Sequence, residues 1–64
     1  MNIWKVTISG EETGQYADYY GLAKKATVAG EKALVVAQKE TKEDKNFGDE
    51  LYVSEISFVA FKEF

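Results

Sequence analysis

Residues Ile3 to Ser9 alternate, with Trp4, Val6 and Ile8 on one side and Lys5, Thr7 and Ser9 on the other. A repeat of two residues is that of a strand buried on one face, so the chain is expected to open with a strand. Gly10-Glu11-Glu12-Thr13-Gly14 follows, two glycines around charged residues, and leads into the aromatic run Tyr16 to Leu22. Glycine adopts the positive φ that tight hairpins need, and this segment predicts a hairpin into a second strand over about Gln15 to Ala26. In that strand Tyr16, Tyr20 and Leu22 face one way and Ala17, Tyr19, Gly21 and Ala23 the other, so both faces are partly apolar.

From Thr27 the pattern changes to one rich in Ala, Lys and Glu. Thr27 can cap a helix by accepting from an otherwise unpaired amide of the first turn, and the residues after it favour helix to about Asp44. On a helical wheel Ala29, Gly30, Ala33, Leu34, Val36 and Ala37 form one arc, while Glu31, Lys32, Gln38, Lys39 and Lys42 lie opposite. Lys45-Asn46-Phe47-Gly48-Asp49 supplies turn chemistry, and Leu51 to Phe64, rich in Val, Ile, Phe and Tyr, predicts a third strand. Its alternation changes phase between Val53 and Ile56, which places a bulge near Ser54 or Glu55. The expected fold is α+β in the order ββαβ, an antiparallel sheet of about three strands with one amphipathic helix on one face. The rival reading, one long helix from Tyr16 onward, would place Gly21 and Gly30 in its interior at about 1 kcal/mol each relative to alanine.

Length narrows the picture. At 64 residues the chain has room for one small domain, residues 1–64, and for no deep pocket. Such a domain relies on tight packing or on self-association, so a homodimer is among the expectations. Cysteine and histidine are both absent, which removes disulfides, zinc and iron–sulfur ligation and the usual base for a nucleophile. No cofactor or metal is expected, and no catalytic residue is nominated. The adjacent carboxylates Glu11-Glu12 and Asp49-Glu50 fall in predicted loops, where solvation keeps carboxylates ordinary and sequence neighbours point apart. Residues 44–49 resemble a calcium loop only superficially, because the glycine falls one position early. Gly10 and Gly14 lack the Gly-Lys-Ser/Thr of a phosphate loop. No apolar run reaches the roughly 20 residues a membrane span needs, and Met1 to Ser9 has no leader pattern; a cytoplasmic, non-enzymatic protein is expected.

Charge then ranks the partners. Eight lysines and no arginine stand against eleven acids, for a net charge of −3. Phosphate contacts dominate nucleic-acid affinity, so an acidic chain without arginine points to protein partners before nucleic acid. Two surfaces are candidates. One is the outer helix face, where Val35 sits among Lys32, Lys39 and Lys42, an apolar centre ringed by charges that steer encounter. The other is the sheet face a single helix leaves open, where Tyr16, Tyr19, Tyr52, Phe58 or Phe61 is expected according to register. The function expected is that of a protein-binding module, an inhibitor or adaptor working by steric occlusion. Bacteriophage inhibitors of host proteins share this size and class, an analogy without a motif. The alternatives are a binder of single-stranded nucleic acid through stacked aromatics, or an acidic mimic of nucleic acid presenting Asp18, Asp49, Glu50, Glu55 and Glu63.

Overall fold

A computed structural model describes residues 1–43 and 50–62, without the side chains of residues 41–43. The order is β1 (Asn2–Gly10), β2 (Tyr16–Ala23), α1 (Ala26–Glu43) and β3 (Leu51–Phe61). The three strands form one open sheet, β2-β1-β3, with β1 antiparallel to both neighbours. The predicted α+β architecture, ββαβ with a single helix, is therefore the one observed.

The hairpin closes as its glycines suggest. Gly14 has φ 71°, the left-handed region open to glycine, and its amide donates to the Gly10 carbonyl at 3.1 Å. The Gly10 amide donates to the Gln15 carbonyl at 2.8 Å. β2 ends at Ala23 rather than Ala26 because its partner runs out, Ala23 lying opposite Asn2. The helix starts earlier than the Thr27 cap predicts. The Ala29 amide donates to the Lys25 carbonyl at 3.1 Å, so helical bonding is under way before Thr27, which is an exposed residue inside the first turn. The expected helix end at Asp44, the turn at Lys45 to Asp49 and the last strand residues Glu63 and Phe64 lie outside the described residues.

The core sits between α1 and the sheet and is thin. Val6, Ile8, Ala23, Ala29, Ala33 and Ala37 are buried, and among the described residues Val6, 1% exposed, is the largest side chain fully enclosed. Trp4, Tyr19, Leu34, Leu51, Val53 and Ile56 pack around them half-buried. The helix presents alanines at every fourth position, with Gly30 beside them, and this allows close approach: a β-carbon at Gly30 would lie 3.0 Å from Cδ1 of Ile56. The register along β3 slips twice, leaving Ser54 and Val59 unpaired. The first slip is the expected bulge; the second, among Phe58, Val59 and Ala60, is an addition.

Candidate protein-docking surfaces

Antiparallel partners share a face, so the register assigns every side chain of the sheet. Trp4, Val6 and Ile8 turn toward α1 together with Ala17, Tyr19, Gly21 and Ala23 of β2 and Val53, Ile56 and Phe58 of β3. Among the described residues no helix covers the opposite face. Along it run four rows: Leu22–Ile3–Ala60, Tyr20–Lys5–Ser57, Asp18–Thr7–Glu55 and Tyr16–Ser9–Tyr52.

The polar groups of this open face hold one another. The Thr7 hydroxyl donates to Oδ1 of Asp18 at 2.6 Å, Ser9 donates to Oγ of Ser54 at 2.8 Å, and Ser54 donates to the Thr7 carbonyl at 3.1 Å. Ser57 donates to Oε1 of Glu55 at 3.3 Å. The tyrosines do not join this network through any bond of that kind and stand clear, Tyr16 being 73% and Tyr52 48% exposed on either side of Ser9. Two strand spacings separate their backbones, about 10 Å.

Of the aromatics expected there, Tyr19, Phe58 and Phe61 are elsewhere. Phe58 pairs with Trp4 on the helix side, the rings edge to face with centroids 5.7 Å apart, and Phe61 lies opposite Asn2 in the same register. Tyr19 points under the helix, half-buried, and its hydroxyl donates to Oε2 of Glu40 at 2.8 Å. Burial first, then the Glu40 hydrogen bond and negative charge, push its ionisation above the usual tyrosine range.

The helix surface is a separate patch on the far side of the molecule. Val35 is 63% exposed and forms a shallow depression with Glu31, Lys32 and Val36. Lys32 and Lys39 are exposed as the wheel predicts, while the Lys42 side chain lies outside the described residues. Lys32 also leans toward the sheet, its ammonium 3.4 Å from the Leu22 carbonyl. Six of the seven candidates thus divide, Tyr16 and Tyr52 on the open face, Val35, Lys32 and Lys39 on the helix, and Tyr19 between helix and sheet, while the seventh, Lys42, has its side chain outside the described residues.

Neither expected surface includes the groove that runs along the β2 flank of α1. Tyr19 divides it into two depressions of about 230 and 180 Å³. Gly21, Val6, Ala29 and Val36 line the first, and Ala17, Ile8 and Ala37 line the second, which reaches Leu51 of β3 and is bordered at the sheet edge by Tyr16. The signal was present in the small residues flanking Tyr19 on one face of β2. No protein-family model, curated protein or solved structure matches the chain. Among the described residues no three acidic side chains converge to hold a metal, and no helix is long and apolar enough to cross a membrane.

Proposed function

We propose that this protein is a non-enzymatic binding module, an inhibitor or adaptor that occludes a protein partner by docking through its open sheet face. The observation that carries the reading is the pair Tyr16 and Tyr52, held on the two outer strands on either side of Ser9 and left exposed. Tyrosine offers a large contact area with few rotatable bonds, which is why it anchors interfaces. The hydrogen-bonded serines, Thr7 and carboxylates between and beside the rings are already ordered, so docking costs little further side-chain entropy. Charge argues for protein over single-stranded nucleic acid: in the four described rows of the face Lys5 is the one cation, against Asp18 and Glu55.

The test is a tagged pull-down run with and without nuclease and at two salt concentrations, comparing wild type with a Tyr16→Ala/Tyr52→Ala double variant and with Val35→Glu. The reading expects a stoichiometric protein that survives nuclease, is lost with the tyrosines and is retained by Val35→Glu. Loss with Val35→Glu alone would move docking to the helix. Recovery of nucleic acid alone, released by salt, would overturn the protein-binding reading.

A further inference from the structure

The two sheet edges are not alike. β3 is interrupted by unpaired residues at Ser54 and Val59, and such bulges twist an edge away from pairing. β2 pairs with β1 in unbroken register from Tyr16 to Ala23, contains no lysine or proline, and has Asp18 as its one charge. The devices that blunt it are that carboxylate and the Lys32 ammonium on the Leu22 carbonyl at one end; in a regular strand every second residue turns its N–H and C=O outward, and those of Tyr16, Asp18 and Tyr20 lie beyond the reach of that lysine bond. Beside this edge lies the α1–β2 groove. Its floor is low because Ala17 and Gly21 are small, and a β-carbon built on Gly21 would meet nothing within 4 Å. Its upper wall is a ridge at four-residue spacing, Lys32, Val36 and Glu40, in which Val36 is 47% exposed although the wheel places it on the apolar arc.

We infer that the free β2 edge and the α1–β2 groove receive an extended segment of a partner protein, added as a fourth strand. The assignment rests on the protein-binding reading and names the chemistry of the segment. The two depressions lie beside Ala17 and Gly21, about 13 Å apart along the strand, which is the distance between residues i and i+4 of a strand running alongside. Residue i+2 falls at Tyr19, which fills the groove and bonds Glu40. The segment thus carries apolar side chains at i and i+4, a small residue at i+2, and outward-facing residues between them without restriction. Exposed Lys24 and Lys25 follow β2, and Lys32 stands over Leu22 at the same end, so a carboxylate belongs on the segment there. Main-chain hydrogen bonds supply affinity in this mode, and the alternate pockets supply specificity.

The experiment is selection from a displayed library of random ten-residue peptides against the full chain, then calorimetric titration of the selected peptide made synthetically. The expected winner shows the apolar–x–small–x–apolar pattern with an acidic residue at one end. Methylating its amide nitrogens one at a time should weaken binding tenfold or more at every second position and little at those between. Gly21→Val fills the first depression without a clash at its β-carbon and favours strand, so it should melt no lower than wild type yet bind at least tenfold more weakly. Val36→Glu, at an exposed position, should do the same. Failure to enrich this pattern overturns the inference. So does a peptide that binds Gly21→Val and Val36→Glu as tightly as wild type; if Tyr52→Ala, which lies on the open face and outside both depressions, then abolishes its binding, the open-face reading stands without the groove. Loss in the groove variants alone leaves the groove without the open face.

Discussion

Gly30 marks where helix and sheet come closest, and its replacement is a quantitative test of how tightly they are held. In the interior of a helix alanine is favoured over glycine by about 1 kcal/mol, so Gly30→Ala would stabilise the protein by that much if nothing stood in the way. Something does: the new carbon would lie 3.0 Å from Cδ1 of Ile56 and 3.7 Å from Cγ2 of Val53. Carbon atoms prefer about 3.5–4.0 Å, so the Val53 contact is ordinary and the Ile56 methyl must retreat by roughly half an ångström. Ile56 is half-buried and its methyl is the far end of the side chain, so it swings at a cost of about 0.5–1.5 kcal/mol for an off-rotamer angle. The two effects nearly cancel, and Gly30→Ala should change stability by less than about 0.5 kcal/mol. Ile56→Val removes the obstructing methyl and should itself cost about 0.5–1.5 kcal/mol. In that background Gly30→Ala should deliver its full gain, a coupling of about 1 kcal/mol between contacting residues. Urea unfolding followed by the single tryptophan, Trp4, reads this directly: with a slope near 1 kcal/mol per molar for so small a domain, the coupling is a midpoint difference of about 1 M. An equal gain in both backgrounds would refute the close approach at Ile56. A loss above about 2 kcal/mol in both would show that backbone, not a movable methyl, blocks the site.

Val6→Ala removes two methyl groups from the largest fully enclosed side chain among the described residues, at about 0.8 kcal/mol each before the cavity is counted, so a loss of about 2–3 kcal/mol is expected. At about 4–8 °C per kcal/mol this is a fall of roughly 10–20 °C in Tm by calorimetry; a fall under about 4 °C would mean the core collapses around the gap. Tyr19 is neutral in the fold and its ionisation is raised by burial and by Glu40, so its contribution is fully present below the unfolded tyrosine value near 10 and is lost as pH climbs through the folded value. Thermal melts from pH 8 to 11.5 should therefore show a steeper alkaline loss in wild type than in Tyr19→Phe, and parallel curves would contradict the burial of this ring. Tyr16→Ala/Tyr52→Ala removes exposed rings and should leave urea stability within about 0.5 kcal/mol per site while abolishing capture of the partner.

What the sequence shows of the fold follows from where its two faces differ in polarity. β1 alternates cleanly from Trp4 to Ser9, so its buried face is legible there residue by residue; at Asn2 and Ile3 the polarity is reversed. The bulge at Ser54 was legible because a polar residue falls out of phase there. The slip at Val59 was not, since Phe58, Val59, Ala60 and Phe61 are all apolar and a run of one kind carries no phase. The end of β2 depends on the length of its partner, and no feature of residues 15–26 reports that β1 stops at Asn2. The cap preference of Thr27 is worth about 1 kcal/mol, which the end of β–β pairing at Ala23 outweighs. For the docking surfaces, alternation correctly put Tyr19 with Ala17 and Gly21, away from Tyr16. It could not say which side the helix covers, because β2 is aromatic on both. Val36 looked buried on the wheel; the stripe that meets the sheet, Ala29, Gly30, Ala33 and Ala37, is narrower than the apolar arc and leaves it on the flank.

A core lined chiefly by alanine has a consequence for binding. A domain of this length is stable by about 3–10 kcal/mol at 0.05–0.15 kcal/mol per residue, while large apolar side chains such as Tyr16, Val35, Val36 and Phe61 stay exposed. A ligand that covers some of this surface adds stability by mass action, about 2.7 kcal/mol at a hundred times its Kd, which raises Tm by roughly 11–22 °C. That gain is the same wherever the ligand docks, so a melting shift alone cannot tell open face from groove. Amide exchange can. A strand added to β2 would protect the outward amides, every second residue from Tyr16 to Ala23, which otherwise face solvent at the sheet edge. A partner seated on the Tyr16–Ser9–Tyr52 row covers side chains and leaves that edge open. Exchange of the bound protein should therefore slow with a period of two along β2 if the groove is occupied. Slowing spread without that period would refute strand addition even where Tm has risen.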